Sequence, residues 1–98
     1  MKQIEAVISR FNVPEVLSLL EEQGISDVME SVVLCHTKGQ TMMFRGATFV
    51  ASIVEKVKLE IIAADEAVAG IIEAIGSTTR TGTQDKCRIA VRSYIEAT

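Results

Sequence analysis

The sequence predicts an α+β fold, one antiparallel sheet with two helices on one face, and three observations support this. Four stretches, beginning near Ile4, Val28, Val57 and Cys87, alternate or run apolar in the manner of strands. Two others, residues 13–20 and 68–75, carry apolar side chains at helical spacing. These elements follow one another as β-α-β-β-α-β with no low-complexity segment or linker, so residues 1–98 are expected to form a single domain.

Each element has its own signature. Ile4, Ala6 and Ile8 alternate with Glu5, Val7 and Ser9, the period of a half-buried strand. Asn12 is an N-cap residue type, and Pro14 follows where a missing N–H costs nothing. Val13, Val16, Leu17 and Leu20 form the buried stripe of the first helix, Glu15, Ser18, Glu21 and Glu22 its outer face, and Gly24 its C′ residue. Residues 28–35 are a β-branched second strand; Val57, Leu59 and Ile61 alternate with Lys58, Glu60 and Ile62 in the third. Asp65 is expected to cap a helix with the stripe Val68, Ile71, Ile72 and Ile75, stopped by Gly76. Gly70 within it costs about 1 kcal/mol relative to alanine and is expected to mark a close helix–sheet contact. Residues 77–86 read as a polar, Thr-rich loop, and Cys87, Ile89 and Val91 alternate with Arg88, Ala90 and Arg92 in the fourth strand. Residues 93–98 carry little pattern.

This order is that of the ferredoxin-like fold. With both helices on one face, the other presents Glu5, Val7, Lys58, Glu60 and Ile62, too apolar for water and too charged for a sealed core. Self-association, with opposite charges pairing across the interface, accounts best for such a face.

The bulk properties exclude several classes. With 48% hydrophobic residues but 4% aromatic and no Trp, the core must be aliphatic. A formal charge of -3 argues against nucleic acid as a partner, since phosphate backbones demand a basic face. No apolar run approaches the roughly 20 residues of a membrane span. The N-terminal residues lead directly into a strand pattern, so no signal peptide is expected. A cytoplasmic protein is the expectation.

Between the second and third strands lies a stretch of about residues 36–55 with neither strand alternation nor helical spacing. Most loops are about 4–6 residues, and longer ones tend to be functional. This one is basic at its base (Lys38, Arg45), hinged by Gly39 and Gly46, and apolar at Met42, Met43 and Phe44. Such a composition suits a mobile element that meets an anion at its root and a partner at its tip.

No constellation for catalysis is present. The chain has no GxxxxGK, GxGxxG, CxxC or HExxH pattern. His36 is the only histidine, and it points to the face opposite Cys35 on a regular strand, so no metal site is expected. Glu5 and Glu60 are expected to form ion pairs at the interface with Lys58 rather than an acid/base pair. Cys35 and Cys87 fall on opposite edges of the predicted sheet, too far apart for a disulfide within one chain.

Lys2-Gln3-Ile4-Glu5-Ala6-Val7-Ile8-Ser9-Arg10-Phe11, Lys38-Gly39-Gln40-Thr41, Phe44-Arg45-Gly46-Ala47, Lys56-Val57-Lys58-Leu59-Glu60-Ile61 and Arg80-Thr81-Gly82, in this order and at these intervals, closely resemble the PII signal-transduction proteins. The resemblance covers nearly the whole chain. It implies a ferredoxin-like homotrimer that binds adenine nucleotide in the clefts between subunits. It also implies that residues 36–55 are the T-loop, which contacts a transporter, enzyme or regulator, and that residues 77–86 are the nucleotide-facing B-loop. By the resemblance, Lys38 reaches phosphate and Arg88 stands at the site of a phosphate-binding lysine. Val28 and Met29 contact base and ribose, Ile62 lines the adenine pocket, and Thr81 and Gly82 begin the B-loop. Thr37 stands where the family usually has a glutamine for its 2-oxo acid effector. Met42, Met43, Phe44 and Arg45 are the expected partner contacts. In such a trimer the T-loop root of one subunit approaches the next subunit's B-loop, so Cys35 and Cys87 could link subunits. Two reduced thiols remain the default.

The departures point to a divergent member. Phe49 replaces the tyrosine that many bacterial members modify, so uridylylation there is chemically impossible. The segment near residues 34–36 is about two residues short and lacks the family's glycines, and Thr83-Gln84-Asp85-Lys86-Cys87 replaces the later B-loop glycines. Two C-terminal arginines that grip terminal phosphates have no counterpart. Together these favour ADP or AMP over ATP. They also suit a branch linked to inorganic carbon or carboxysomes that senses adenylates with bicarbonate. The alternatives are a nitrogen regulator sensing ATP and 2-oxoglutarate, or a trimeric adaptor that has lost its ligand.

Overall fold

The computed structural model describes the backbone of residues 1–79 and 88–97 and, within these, the side chains of all but 37–44, 49–52 and 79. The elements run β1 (Lys2–Ile8), α1 (Val13–Glu22), β2 (Val28–Phe44), β3 (Ala47–Ala63), α2 (Val68–Thr79) and β4 (Arg88–Ser93). The strands form one sheet in the order β2-β3-β1-β4. All three pairings are antiparallel, with Ile4 opposite Ile61 and Val91, and Val28 opposite Ile61. This is the α+β, ferredoxin-like βαββαβ arrangement expected from the order of the apolar patterns.

The core is aliphatic and lies on one side of the sheet. Ile4, Ala6 and Ile8 of β1 alternate into it with Val57, Leu59, Ile61 and Ala63 of β3, beneath Val13, Val16 and Leu20 of α1 and Ile71, Ala74 and Ile75 of α2. The one buried polar side chain among the described residues, Thr78, donates its hydroxyl to the Ile75 carbonyl at 2.9 Å, so burial leaves no orphaned oxygen there.

The helix ends depart from the simplest sequence reading. A 3-10 turn, Arg10–Asn12, precedes α1, and its cap is Ser9, whose hydroxyl accepts from the Phe11 N–H. Asn12 therefore already has helical geometry and makes no side-chain cap bond. A second 3-10 turn, Asp65–Ala67, precedes α2 with Ala64 at its N-cap. Asp65 instead pairs its carboxylate with the N-terminal amine at 3.3 Å. Gly76 does not stop α2, which continues to Thr79. Gly24 does end α1. At φ +80° it donates to the Glu21 carbonyl at 2.9 Å while Ile25 donates to Leu20 at 2.9 Å, the paired bonds of a Schellman motif. The close approach at Gly70 is between helices rather than helix and sheet. The Gln23 Nε2 donates to the Gly70 carbonyl at 3.1 Å, and a Cβ at Gly70 would lie 2.8 Å from the Gln23 Oε1.

The largest difference concerns residues 36–55. The absence of alternation predicts an irregular loop, whereas the backbone continues both strands into a ribbon that turns at Arg45 and Gly46. Pairing with β1 stops at Ile8 opposite Val57. Beyond that point no third strand lies beside the ribbon among the described residues, and with no one-sided core to face, nothing imposes a period of two.

Candidate functional site

The sheet face away from the helices is open and polar. Strand alternation places Gln3 and Glu5 of β1, Lys58, Glu60 and Ile62 of β3, Met29 of β2 and Arg92 of β4 on it. Four of its charged side chains are paired. Arg92 Nη1 donates to Glu5 Oε2 at 2.9 Å. The Glu60 carboxylate receives Lys58 Nζ at 3.3 Å on one oxygen and Gln3 Nε2 at 3.2 Å on the other. The Arg92 hydrogen bond is the main reason the Glu5 carboxyl titrates below its ordinary value. Partial desolvation opposes it, and the charges of Arg92, Lys58 and Arg88 reinforce it. These glutamates are held as ion-pair partners, as the sequence suggested, although the structure adds Arg92 as the counter-ion of Glu5.

At one end of this face is a cavity of about 530 Å³ lined by Met1, Gln3, Asp27, Met29, Glu60, Ile62, Tyr94 and Glu96. The volume lies within the ~300–1,000 Å³ usual for ligand pockets. Four lengths of chain build it. The Gly24 turn delivers Asp27 and Met29 to the start of β2. The Met29–Glu60 and Gln3–Ile62 register pairs form its floor. The Tyr94 N–H donates to the Met1 carbonyl at 3.1 Å, which ties the segment after β4 to the N-terminus and brings in Tyr94 and Glu96.

The expected site residues divide clearly. Met29 and Ile62 line the cavity. Val28 is on the other face of the sheet, packed against the core opposite Ile61. Thr37 and Lys38 fall where the β2–β3 ladder shifts register between His36 and Gln40, a bulge in which three residues of β2 face one of β3. Arg88 is exposed on β4 in the row of Val7 and Lys58, three strand spacings (roughly 14 Å) from β2. One chain therefore does not bring Arg88 to Met29. Thr81 and Gly82, with Cys87, lie outside the described residues. Met42, Met43 and Phe44 are backbone positions in the ribbon, and Arg45 is exposed in its turn. Cys35 is a free, half-buried thiol. Among the described residues no group of three or more His, Cys, Asp or Glu side chains could hold a metal, and no helix is long and apolar enough to cross a membrane.

Sequence reading assigned no part in this cavity to Gln3, Asp27, Tyr94 or Glu96. A usable signal existed for two of them. Tyr94 and Glu96 continue the parity of Arg92, which already belonged to the open face.

Comparison with known proteins agrees with this geometry. The family model described as Nitrogen regulatory protein P-II matches residues 1–94. A Nitrogen regulatory protein P-II of Mesorhizobium japonicum is 42% identical over 84 residues, covering 84% of this chain and 75% of that protein. Its namesake from Rhizobium meliloti is 40% identical over the same coverage. One from Rhodobacter capsulatus is 38% identical over 99 residues, covering 99% of this chain and 88% of that protein. With the ferredoxin-like order and sequence similarity along nearly its whole length, the chain belongs to the P-II family of nitrogen regulatory, signal-transducing proteins.

Proposed function

We propose that this chain is an adenylate-responsive regulator acting as a homotrimer. The base of an adenine nucleotide enters the cavity of one subunit. Lys38 and Arg88, presented by the adjoining subunit, hold its phosphates. The β2–β3 ribbon then reports occupancy to a protein partner through Met42, Met43, Phe44 and Arg45.

The observation that carries this reading is the composition of the cavity. Its described lining has acceptors on Asp27, Glu60 and Glu96, a phenol, a carboxamide and the apolar Met29 and Ile62, but no lysine or arginine side chain. An amino-bearing purine meets acceptors and apolar walls there, whereas a phosphate must find its charge-assisted donors elsewhere. Arg88 lies at the far edge of the sheet, so a second copy is what unites the two halves, as a closed ring of subunits does. The acidic wall and the altered B-loop support ADP or AMP over ATP. Signalling requires that the nucleotide bind the two ribbon states with different affinity.

Bicarbonate as co-effector, in inorganic-carbon metabolism, rests on the sequence departures at Thr37, at residues 34–36 and in the B-loop. That the similar proteins are named nitrogen regulatory proteins supports the other reading, a nitrogen regulator, for which ATP and 2-oxoglutarate are the expected effectors.

A subunit-mixing experiment tests the shared site. Ile62→Asp spoils the cavity and Arg88→Glu spoils the far edge. Each variant alone should lose ADP binding. Co-refolded mixtures should regain it, because some clefts then join an intact cavity to an intact Arg88. Mixtures that stay inactive while forming trimers would refute a site shared in this way.

A further inference from the structure

We infer that Asp27 reads the sugar of the bound nucleotide, so that the cavity prefers ribonucleotides to 2′-deoxyribonucleotides and refuses a 2′-phosphate. The inference rests on the adenylate reading of the cavity and adds to it the residue that decides which sugar is accepted.

The sheet register sets the spacing. Val28, the first residue of β2, pairs with Ile61, so Asp27 immediately before it comes beside Ile62. On its other side Ile62 pairs with Gln3 of β1. All three line the cavity. Ile62 is thus an apolar platform between a carboxylate and a carboxamide that stand two strand spacings apart, roughly 10 Å. Adenosine carries its polar groups in the same order, an amino-bearing purine edge at one end and the ribose diol at the other. A base that lies on Ile62 and Met29 and turns its amino edge toward Gln3 and Glu60 puts its ribose over Asp27.

Of the acids in the cavity, Asp27 is the one suited to the diol. Glu60 already receives Lys58 Nζ at 3.3 Å on one oxygen and Gln3 Nε2 at 3.2 Å on the other. Glu96 follows β4, at the opposite edge of the sheet from β2. Asp27 forms no ion pair or side-chain hydrogen bond among the described residues. Its two oxygens can therefore accept from both hydroxyls, a charge-assisted contact of the kind that acids make to ribose in dinucleotide-binding folds. A 2′-phosphate would set like charge against it. The backbone on either side is held, since the Ile25 N–H donates to the Leu20 carbonyl at 2.9 Å and Val28 packs against the core. Little ordering is then left to occur on binding. Because β2 is an edge strand, a ribose at Asp27 also carries its 5′ phosphates out of the acidic cavity at the rim of the sheet.

Calorimetric titration of the assembled protein tests this, with ADP against 2′-deoxy-ADP and AMP against adenosine 2′,5′-bisphosphate. Wild type should bind 2′-deoxy-ADP about tenfold or more weakly than ADP, the loss of a hydrogen bond to a charged group, and should bind AMP in preference to the bisphosphate. Asp27 is exposed in the free chain, so its replacement leaves the fold intact. Asp27→Ala should bind ADP and 2′-deoxy-ADP alike. Asp27→Asn, which keeps the shape of the side chain and removes its charge, should narrow the preference for AMP over the bisphosphate. Equal binding of ADP and 2′-deoxy-ADP by wild type would overturn the inference while leaving the adenylate reading in place. Discrimination that persists unchanged in both variants would do the same. No binding of any of the four nucleotides by assembled wild type would refute the adenylate reading and this inference with it.

Discussion

Replacing Gly24 by alanine should destabilise the fold although the new methyl group touches nothing. A Cβ built on Gly24 has no heavy atom within 4 Å, so no clash is involved. The cost is conformational. At φ +80° an L-residue loses about 1–2 kcal/mol to the left-handed conformation. Reduced freedom of the unfolded chain returns about 0.5 kcal/mol of that. The net loss is about 1 kcal/mol, which lowers Tm by about 4–8 °C for a domain of this size. Gly76 supplies the internal control. It too has nothing within 4 Å of its built Cβ, but it lies inside α2. Alanine there should stabilise by about 0.5–1 kcal/mol through helix propensity. Thermal unfolding of both variants at one fixed protein concentration, since assembly makes Tm concentration-dependent, reads the two signs together. Shifts in the same direction, or a neutral Gly24→Ala, would refute the claim that the Schellman turn depends on glycine. The turn matters beyond stability, because it aims the chain at Asp27 and Met29 in the cavity.

Two further predictions test the core and the charges of the open face. Leu59→Ala removes a fully buried side chain between the sheet and both helices, and should cost about 2–5 kcal/mol in denaturant unfolding; a loss near zero would mean the core is misassigned. Arg92→Gln removes the main cause of the lowered Glu5 pKa, so that carboxyl should titrate closer to its ordinary value when followed by NMR. A carboxyl lowered in the folded state contributes stability above its unfolded pKa and loses it as pH falls through the folded value. The wild type should therefore lose its advantage over Arg92→Gln in the acid range. An advantage that persists at low pH would show the pair does not act through Glu5 ionisation.

The sequence made the core legible because burial there is one-sided. Ile4, Ala6 and Ile8 alternate, Val13, Val16 and Leu20 follow the helical period, and each pattern has a single physical reading. The caps were less legible. Ser9 and Asn12 are both cap residue types, and only the inserted 3-10 turn decides between them. The ribbon escaped because beyond Val57 it has no core to face. The cavity was half visible. Met29 and Ile62 entered through the family resemblance, whereas Tyr94 and Glu96 depend on a backbone bond from Tyr94 to Met1 across most of the chain.

The central claim is that an adenine nucleotide is the effector, and calorimetric titration of the assembled protein with ADP, AMP and ATP tests it most directly. Each titration should be run alone, with bicarbonate and with 2-oxoglutarate. Saturable binding of ADP or AMP at one site per subunit, tightened by bicarbonate and abolished by Ile62→Asp, is the predicted result. ATP binding that depends on 2-oxoglutarate would keep the regulator and assign it to nitrogen sensing. No heat with any nucleotide, from a folded and assembled protein, would contradict the account and leave a ligand-independent adaptor.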